Sequence, residues 1–343
     1  MILQEKQNNF IESDNLSNLG SINILNKTEE KKVIDSYQRH IHKLRVQLTD
    51  ACNFRCFYCM PENIKFKPHK DLLTPKEIYD ICSILNEDFG IDELRITGGE
   101  PTIRPEFEEI VNLLSQINTK KLGLTTNAFV LNEKLDFLKN TNCKNINISL
   151  DSLNEEQFNK ITKGNYFKKV FNSILKAKEM GFNVKINTVL LRNMNDNEIL
   201  DFVNFSAKYD IEVRFLELMK IGMAYENNNS LFISASEIIK KIKTQDKLKP
   251  VKVSNDSTSF NYITSSGAKI GFIASESMPF CGSCSRLRLS ATGKLRACLM
   301  SENGIDLKNK SREEYRDIIY SVIAMKPFQR IDHIDQVMNQ IGG

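Results

Sequence analysis

The sequence lacks three features that would point to a membrane, a polyanionic partner or a secretory route. Its 343 residues contain no run of about 18 apolar residues, so no transmembrane helix is expected. The formal net charge is only +4, which gives no reason to expect a nucleic acid polymer or a membrane surface as a partner. The first 36 residues show neither the layout of a secretory signal nor the acid-poor composition of a transit peptide. We therefore expect a cytoplasmic protein, organellar only if eukaryotic, with a poorly ordered extension over residues 1–36.

Disulfides are not expected either, because they suit small secreted domains and this chain is long. Its eight cysteines need another explanation. Cys82 and Cys143 stand alone in apolar patterns, and we interpret both as buried core thiols. The other six form two close groups, which we call the first triad (Cys52, Cys56 and Cys59) and the second triad (Cys281, Cys284 and Cys298).

Neither triad has the fourth ligand that a structural zinc requires. The first triad lies in DACNFRCFYCMPE, residues 50–62, and the nearest downstream histidine, His69, sits in a Pro-flanked loop where we expect it to be exposed. A four-iron cluster is normally held by four thiolates, so three thiolates leave one iron free for a ligand. We interpret both triads as sites of this kind. A zinc site or a redox thiol loop stays the alternative for the first triad, and a zinc site stays the alternative for the second.

Apolar runs and helical patterns alternate from residue 44 to residue 219. A series of six such units predicts a parallel sheet with helices outside. Six strands are too few for a closed eight-stranded barrel, so we predict a partial (β/α)6 barrel over residues 37–230, with a doubly wound sheet as the runner-up. A C-terminal domain that contains β structure is expected over residues 231–343. The predicted strands are Leu44–Leu48, Glu93–Thr97, Lys121–Thr126, Asn145–Leu150, Val184–Leu191 and Ile211–Leu218.

Polar and reactive residues follow these strands, at the edge of the sheet where chemistry is expected. The first triad follows the first strand, GGEP (Gly98–Pro101) the second and TTN (Thr125–Asn127) the third, and SLD (Ser149–Asp151) ends the fourth. Farther on, RLRLS and KLRACL alternate with period two around a turn glycine, which predicts a hairpin. This hairpin would complete the second triad. It would also place Arg286 and Arg288 on one face.

The motif CNFRCFYC, followed by GGE at a second strand end, resembles the radical S-adenosylmethionine (SAM) enzymes. In order, LRITGGEP, GLTTN, NISLD, VKINTV, IEVRFLELM, FCGSCSRLRLSATGKLRACL and the terminal IGG resemble the GTP 3′,8-cyclases of molybdenum cofactor biosynthesis, the MoaA family, over roughly residues 44 to 343. The resemblance implies two [4Fe-4S] clusters, with SAM at the first and GTP at the second. It also implies that a 5′-deoxyadenosyl radical takes the ribose C3′ hydrogen of GTP and that 3′,8-cyclo-7,8-dihydro-GTP forms.

The resemblance implies roles for single residues as well. The triads would hold the clusters, and Arg214, Gly342 and Gly343 would act in the reaction. The residues implied to bind SAM are Tyr58, Gly98, Gly99, Glu100, Ser149 and Met219. The residues implied to bind GTP are Arg45, Arg95, Thr125, Lys185, Arg286, Leu287 and Arg288. Ala51, Glu93 and Ala128 depart from the Arg, Lys and Gly that the family usually has at these positions.

The same resemblance implies partners: an electron donor such as flavodoxin or ferredoxin, a downstream cyclic pyranopterin monophosphate synthase, and a second copy of the chain in a homodimer. Two other functions stay open at this point. One is a radical SAM enzyme that modifies a peptide and carries an auxiliary cluster, although such enzymes usually have more C-terminal cysteines. The other is a binding or electron-transfer protein without SAM chemistry, which would leave the GGE motif and the strand-end residues unexplained.

Overall fold

One long, mostly parallel sheet organises the chain in a computed structural model that describes residues 24–25 and 32–342. Ahead of it, β1 (Ile24–Leu25), β2 (Lys32–Ile34) and β3 (His40–Ile41) form a small antiparallel sheet. Most of the extension predicted over residues 1–36 lies outside the described residues. Its last part is ordered, because Val33 is buried in the main core, so the folded chain begins before residue 37.

Six parallel strands form the centre of the main sheet, and they stand side by side in chain order, as predicted. They are β4 (Lys43–Gln47), β5 (Glu93–Thr97), β6 (Lys121–Thr126), β7 (Cys143–Ser149), β8 (Asn183–Val189) and β9 (Glu212–Leu216). Among these six strands the order does not reverse as it would in a doubly wound sheet, so the runner-up prediction is wrong.

Strands from the C-terminal part of the chain extend this sheet on both sides. β12 (Lys269–Ile273) lies parallel to β9, and β13 (Arg286–Leu289) lies parallel to β4. β10 (Leu248–Val251) and β11 (Phe260–Thr264) complete one edge, and β14 (Lys294–Arg296) and β15 (Ile305–Asp306) complete the other. The two predicted domains therefore share one sheet of 12 strands, and the boundary predicted between residues 230 and 231 falls inside a helix.

Most of the helices pack against the outer face of the sheet and against one another. The first of them begins as predicted, with a capping box between Thr74 and Glu77 and with Pro75 in the first turn. The helices are α1 (Pro75–Phe89), α2 (Phe107–Ser115), α3 (Leu131–Lys139), α4 (Glu155–Thr162), α5 (Phe167–Glu179), α6 (Ile199–Tyr209), α7 (Met223–Leu231), α8 (Ala235–Lys243), α9 (Arg312–Ala324) and α10 (Met338–Ile341). Among the described residues, none of these helices has the length and apolar character needed to span a bilayer.

Side chains alternate between the two faces of the sheet, and this alternation creates the interior. In β4, Leu44 and Val46 are buried against the helices, while Arg45 faces the other way and lines a cavity. Residues of β6, β7, β8 and β9 line the same cavity, so the sheet curves around it as a partial barrel. The predicted core thiols, Cys82 and Cys143, are both fully buried on the helix side.

Candidate active site

A cavity of about 330 Å³ occupies the interior of the partial barrel, and all of the triad cysteines line it. The first triad follows the carboxyl end of β4. The second triad precedes β13 and follows β14, and β13 runs parallel to β4 while β14 runs antiparallel to β13. The two triads therefore lie at opposite ends of these strands. The reactive residues were expected at the carboxyl ends of the strands. The second triad instead lies at the amino end of β13, because Cys281 and Cys284 precede β13 and Cys298 follows the antiparallel β14.

Burial makes the thiols of the first triad hard to deprotonate without a metal. Burial, followed by the charge of Glu100, raises the pKa of Cys52 to about 11. Burial, followed by Cys52 and Asp151, raises the pKa of Cys59 to about 12. The pKa of Cys56 is also raised, first by burial and then by Cys59. A bound metal ion reverses this preference, since its positive charge stabilises the thiolate.

The GGEP motif holds the loop ahead of the first triad by direct backbone contact. The backbone N–H of Gly99 donates to the Thr49 carbonyl at 2.7 Å, and that of Glu100 donates to the Ala51 carbonyl at 2.8 Å. A Cβ on Gly99 would lie 2.4 Å from the Ala51 carbonyl oxygen, so only glycine fits. A Cβ on Gly98 would lie 2.8 Å from the Thr49 carbonyl oxygen. Both glycines thus permit the close approach of two loops.

The Glu100 carboxylate joins the GGEP and TTN motifs. Its Oε1 accepts hydrogen bonds from the backbone N–H of Thr102 at 3.1 Å, the Thr102 hydroxyl at 2.5 Å and the Thr126 hydroxyl at 2.6 Å. Its Oε2 accepts one from the backbone N–H of Asn127 at 2.5 Å, which leaves that oxygen room for a further donor. Ala128 follows with a φ of +62°, in the left-handed region, which explains why glycine suits this position.

Tyr58 is held in the cavity wall by a buried carboxylate. Its hydroxyl donates to Asp151 Oδ2 at 2.5 Å, and the backbone N–H of Val189 donates to Oδ1 at 2.9 Å. Burial raises the pKa of Asp151 to about 6. Ser149 and Met219 line the cavity beside this pair. Asp151 has no predicted role, and its place at the end of a parallel strand is the sequence signal that marks it.

Positive charge surrounds the second triad. Burial alone would raise the pKa of Cys284, but Arg286 and Lys326 outweigh it and lower that pKa to about 6. Lys326 Nζ lies 3.3 Å from Cys284 Sγ, and the backbone N–H of Met300 donates to Cys298 Sγ at 3.4 Å. Lys326 carries no predicted role, because it is 42 residues away from Cys284 and no local pattern singles it out.

These donor sets fit iron–sulfur clusters better than single metal ions. Within the described ranges, no group of three or more His, Cys, Asp and Glu side chains is placed to hold one ion. A cluster spreads its thiolates over several irons, so its ligands stand farther apart than those of one zinc. His69 is not a ligand in either triad, since its side chain is 62% exposed and pairs with Glu106, as the prediction of an exposed loop requires.

Arginines line the cavity between the triads. Arg45 in β4 and Arg288 in β13 are register partners, and Arg286 lies two residues earlier in β13. Burial, followed by Arg288, lowers the pKa of Arg45. Burial, with Arg286 nearby, lowers the pKa of Arg288 to about 10. Like charges held together in a buried place favour an anionic ligand, and Thr125 adds a hydroxyl to the same wall.

Four residues predicted to act at the substrate do not line the cavity. Arg95 Nη1 donates to backbone carbonyls of β6 and β7 at 3.1 and 3.3 Å. Lys185 Nζ and Arg214 Nε share the carboxylate of Glu212, at 2.7 and 2.5 Å. Leu287 is wholly buried in the core, on the face opposite to the arginines of its strand. Neighbouring acceptors inside the barrel thus engage the three cationic side chains, and strand alternation turns the leucine away.

The C-terminal tail closes the cavity near the first triad. In α10, Asn339 donates through Nδ2 to the Asp50 carbonyl at 2.9 Å. Arg288 Nη1 donates to the carbonyl of Gly342, whose φ of +69° suits glycine. Gly342 therefore contacts Arg288 but does not itself line the cavity, and its role in the reaction stays a prediction. Gly343 lies outside the described residues.

Comparisons with known proteins agree with this architecture. The Radical SAM superfamily matches residues 46–206, and the Molybdenum Cofactor Synthesis C family matches residues 211–331. A GTP 3′,8-cyclase of Synechocystis sp. is 45% identical over 313 residues, which cover 91% of this chain and 95% of that protein. A GTP 3′,8-cyclase of Aquifex aeolicus is 40% identical over 286 residues, which cover 82% and 89%.

Among solved structures, SuiB of Streptococcus suis bound to S-adenosylmethionine aligns with a TM-score of 0.62 at 13% identity, covering 84% of this chain and 69% of that one. This likeness shows a shared fold. The cyclases of Synechocystis and Aquifex are far closer in sequence and match nearly end to end, and from this we conclude that the chain belongs to the GTP 3′,8-cyclase family of the Radical SAM superfamily.

Proposed function

We propose that this chain converts GTP to (8S)-3′,8-cyclo-7,8-dihydroguanosine 5′-triphosphate, in the first step of molybdenum cofactor biosynthesis. The observation that carries the proposal is the order of groups along one cavity: first triad, arginines, second triad. Such a cavity offers one end to SAM and the other to a purine, with cations between them for phosphates. Family membership supports the same reaction.

The triads are the proposed cluster ligands. Cys52, Cys56 and Cys59 would hold one [4Fe-4S] cluster, and Cys281, Cys284 and Cys298 a second. When bound, the first cluster and SAM would supply the electron and the 5′-deoxyadenosyl radical that removes the ribose C3′ hydrogen, and the second cluster would hold GTP. The chain itself binds and orients both molecules and excludes water from the barrel interior.

At the SAM end, the proposed contacts come from groups that the fold already holds in place. Tyr58 is oriented by Asp151, and Glu100 keeps acceptor capacity on Oε2 for the SAM ammonium. Ser149 and Met219 extend the wall. Gly98 and Gly99 act here indirectly. They allow the loop of residues 49–51 to pack closely against the GGEP motif, and this packing sets the position of the first triad.

At the GTP end, Arg45, Arg286 and Arg288 are the proposed phosphate ligands, with Thr125 beside them. Charge-assisted hydrogen bonds to phosphate contribute about 1.5–3 kcal/mol each. We keep Arg95, Lys185 and Arg214 as second candidates for the triphosphate, and each must first leave its present carbonyl or carboxylate partner. Leu287 would contribute through its backbone, because its side chain lies in the core. Gly342 would position Arg288.

Further partners are proposed from the family resemblance. We infer an electron donor such as flavodoxin or ferredoxin, a downstream cyclic pyranopterin monophosphate synthase, a homodimer and a cytoplasmic location. The peptide-modifying alternative has less support, because a cavity lined by four guanidinium groups, those of Arg45, Arg286, Arg288 and Arg330, suits a polyanion rather than a peptide backbone. The likeness to SuiB is one of fold and does not favour that alternative.

The test is anaerobic incubation of the reconstituted, reduced protein with SAM and GTP, and with ATP in place of GTP as the matched control. We expect 5′-deoxyadenosine and a cyclised nucleotide with GTP, and no cyclised nucleotide with ATP, both measured by mass spectrometry. Absence of 5′-deoxyadenosine under all conditions would rule out both radical SAM functions. Formation of 5′-deoxyadenosine without a cyclised nucleotide would refute the GTP assignment alone.

A further inference from the structure

A buried lysine stands against the second triad. Lys326 follows α9 and is only 3% exposed. Its Nζ lies 3.3 Å from Cys284 Sγ and donates to the carbonyl of Arg286 at 2.6 Å and to that of Ala297 at 2.9 Å. An ammonium group has three donors, so all of them have an acceptor here. Burial of an ammonium is costly unless it is paired in this way.

The three acceptors belong to the segments that carry the triad. Cys284 is itself a proposed ligand, the Arg286 carbonyl lies two residues after it, and Ala297 directly precedes Cys298. Lys326 Nζ therefore links the two sides of the hairpin next to Cys284, which precedes β13, and Cys298, which follows β14.

A second cation supports the remaining cysteine without touching a sulfur. Arg39 donates through Nη1 to the carbonyls of Cys281 at 2.7 Å and Pro327 at 2.8 Å, and through Nη2 to that of Lys326 at 3.2 Å. Its Nε is held by Asp35 Oδ2 at 2.6 Å. Arg39 thus orders the same region by backbone contacts alone, which makes it a natural control for Lys326.

We propose that Lys326 is a positioning residue of the second triad, which fixes Cys284 relative to Cys298 and holds the reduction potential of the bound cluster above the value it would have without this charge. The physical reason is that reduction adds negative charge to a cluster, and a nearby buried cation stabilises the more negative form. Hydrogen bonds to cluster sulfurs act in the same direction. This inference rests on the proposed function, since it requires that the second triad holds an iron–sulfur cluster.

The experiment uses the full-length chain with Cys52, Cys56 and Cys59 replaced by Ala, so that only the second cluster is observed. In this background we compare Lys326→Met, Lys326→Arg and Arg39→Met after anaerobic reconstitution. The readouts are iron per chain and the midpoint potential, from a redox titration followed by electron paramagnetic resonance. We expect Lys326→Met to shift the potential to more negative values and Lys326→Arg to restore it in part. Arg39→Met should shift it less than Lys326→Met, because Asp35 balances the charge of Arg39 and none of its nitrogens contacts a sulfur.

An unchanged potential in an iron-loaded Lys326→Met variant would overturn the proposal. If Lys326→Met does not retain the cluster, the iron content of the other two variants tests the proposal. Retention of the cluster in both Lys326→Arg and Arg39→Met would support a requirement for a positively charged hydrogen-bond donor next to Cys284. Loss in either of those two variants would mean that the segment only has to be folded, and would overturn the proposal. If the parent protein, which keeps Lys326 and lacks only the cysteines of the first triad, holds no cluster, then the proposal that the second triad binds a cluster is wrong.

Discussion

Gly99 lies where the GGEP motif meets the loop that leads into the first triad. A Cβ there would stand 2.4 Å from the carbonyl oxygens of both Asp50 and Ala51, and both are backbone atoms that cannot rotate away. Gly282, inside the second triad, offers a matched contrast, because its nearest neighbour to a Cβ would be the Phe328 ring at 3.7 Å. An added methyl group should therefore clash with the backbone at Gly99 and fit without a clash at Gly282.

Gly99→Ala should displace the first-triad loop, at a cost of about 1–3 kcal/mol for the forced backbone shift. We expect it to lose about half of the bound iron, since one of two clusters depends on this loop. Gly282→Ala should keep both clusters. Iron and sulfide analysis after anaerobic reconstitution checks this, and full iron loading of Gly99→Ala would contradict the steric argument.

Arg286 and Arg288 share one face of β13, but their surroundings differ. Arg286 Nη1 donates to the Asp256 carbonyl at 3.2 Å, and its Nη2 is buried without a hydrogen-bond partner among the described residues. Arg288 donates to the carbonyl of Gly342 in the tail. Arg286 therefore has a donor to spare for a ligand, while Arg288 joins the ligand site to the tail.

Arg286→Ala and Arg288→Ala should each weaken GTP handling by about tenfold to a hundredfold, the effect of one lost charge-assisted bond. Lysine should substitute poorly because it lacks the guanidinium fork. Arg296→Ala is the matched control, since Arg296 neighbours Arg288 in the hairpin but binds Gln336. Cyclised GTP and 5′-deoxyadenosine are measured together, and uncoupled SAM cleavage should persist. Normal cyclisation in both variants would place the substrate elsewhere.

At the scale of elements, the connection between β10 and β11 fastens the amino ends of β4 and β13. Asp256 in this connection accepts hydrogen bonds from Lys43 at 2.7 Å, His42 at 2.9 Å and Ser285 at 2.6 Å. Burial alone would raise the pKa of Asp256, but these bonds, with that from Lys43 the largest, hold it well below its usual range. The same connection reaches Arg286, so it also supports the wall of the cavity.

Asp256→Asn should lower the free energy of unfolding by about 2 kcal/mol near neutral pH. A carboxyl whose pKa is depressed by folding stabilises the protein above its unfolded pKa of about 3.9, and that contribution is lost progressively as the pH falls from this value toward the lower pKa of the folded state. The difference between the two proteins should therefore be constant above about pH 5 and shrink below about pH 4. Urea unfolding midpoints across this range provide the measurement.

Asp332→Asn is the control for this prediction, because the Asp332 side chain is 67% exposed in its pair with Lys220 and should matter little. A difference for Asp256→Asn that does not change with pH would show that the amide disturbs packing and that the charge has no part in the effect.

At the scale of the whole molecule, parallel pairing places the two triads at opposite ends of β4 and β13. We expect about seven to eight irons per chain, in two oxygen-sensitive clusters. Replacement of Cys281, Cys284 and Cys298 by Ala should halve the iron and leave the spectrum of the first cluster unchanged. The reciprocal replacement of Cys52, Cys56 and Cys59 should do the same for the second. Zinc in place of the lost iron would overturn the assignment of the second triad.

Some of this protein could be determined from the sequence alone. The ligand spacing in each triad, the alternation of strands and helices and the hairpin that returns Cys298 are local patterns, set by neighbours a few residues apart. The six central strands appear where the alternation predicts them, and the capping box at Thr74 begins the first helix. The family resemblance added the order of the motifs.

Only the tertiary structure decided which side chains reach the cavity. Arg45 and Arg288 line it, whereas Arg95 and Lys185 are bound by acceptors that other strands bring to them. Lys326 could not be found from sequence, because its contact with Cys284 depends on how the segment after α9 packs against the hairpin. The physical reason is the same in each case: a side chain takes the partners that packing places within a few ångströms, and those partners lie far away along the chain.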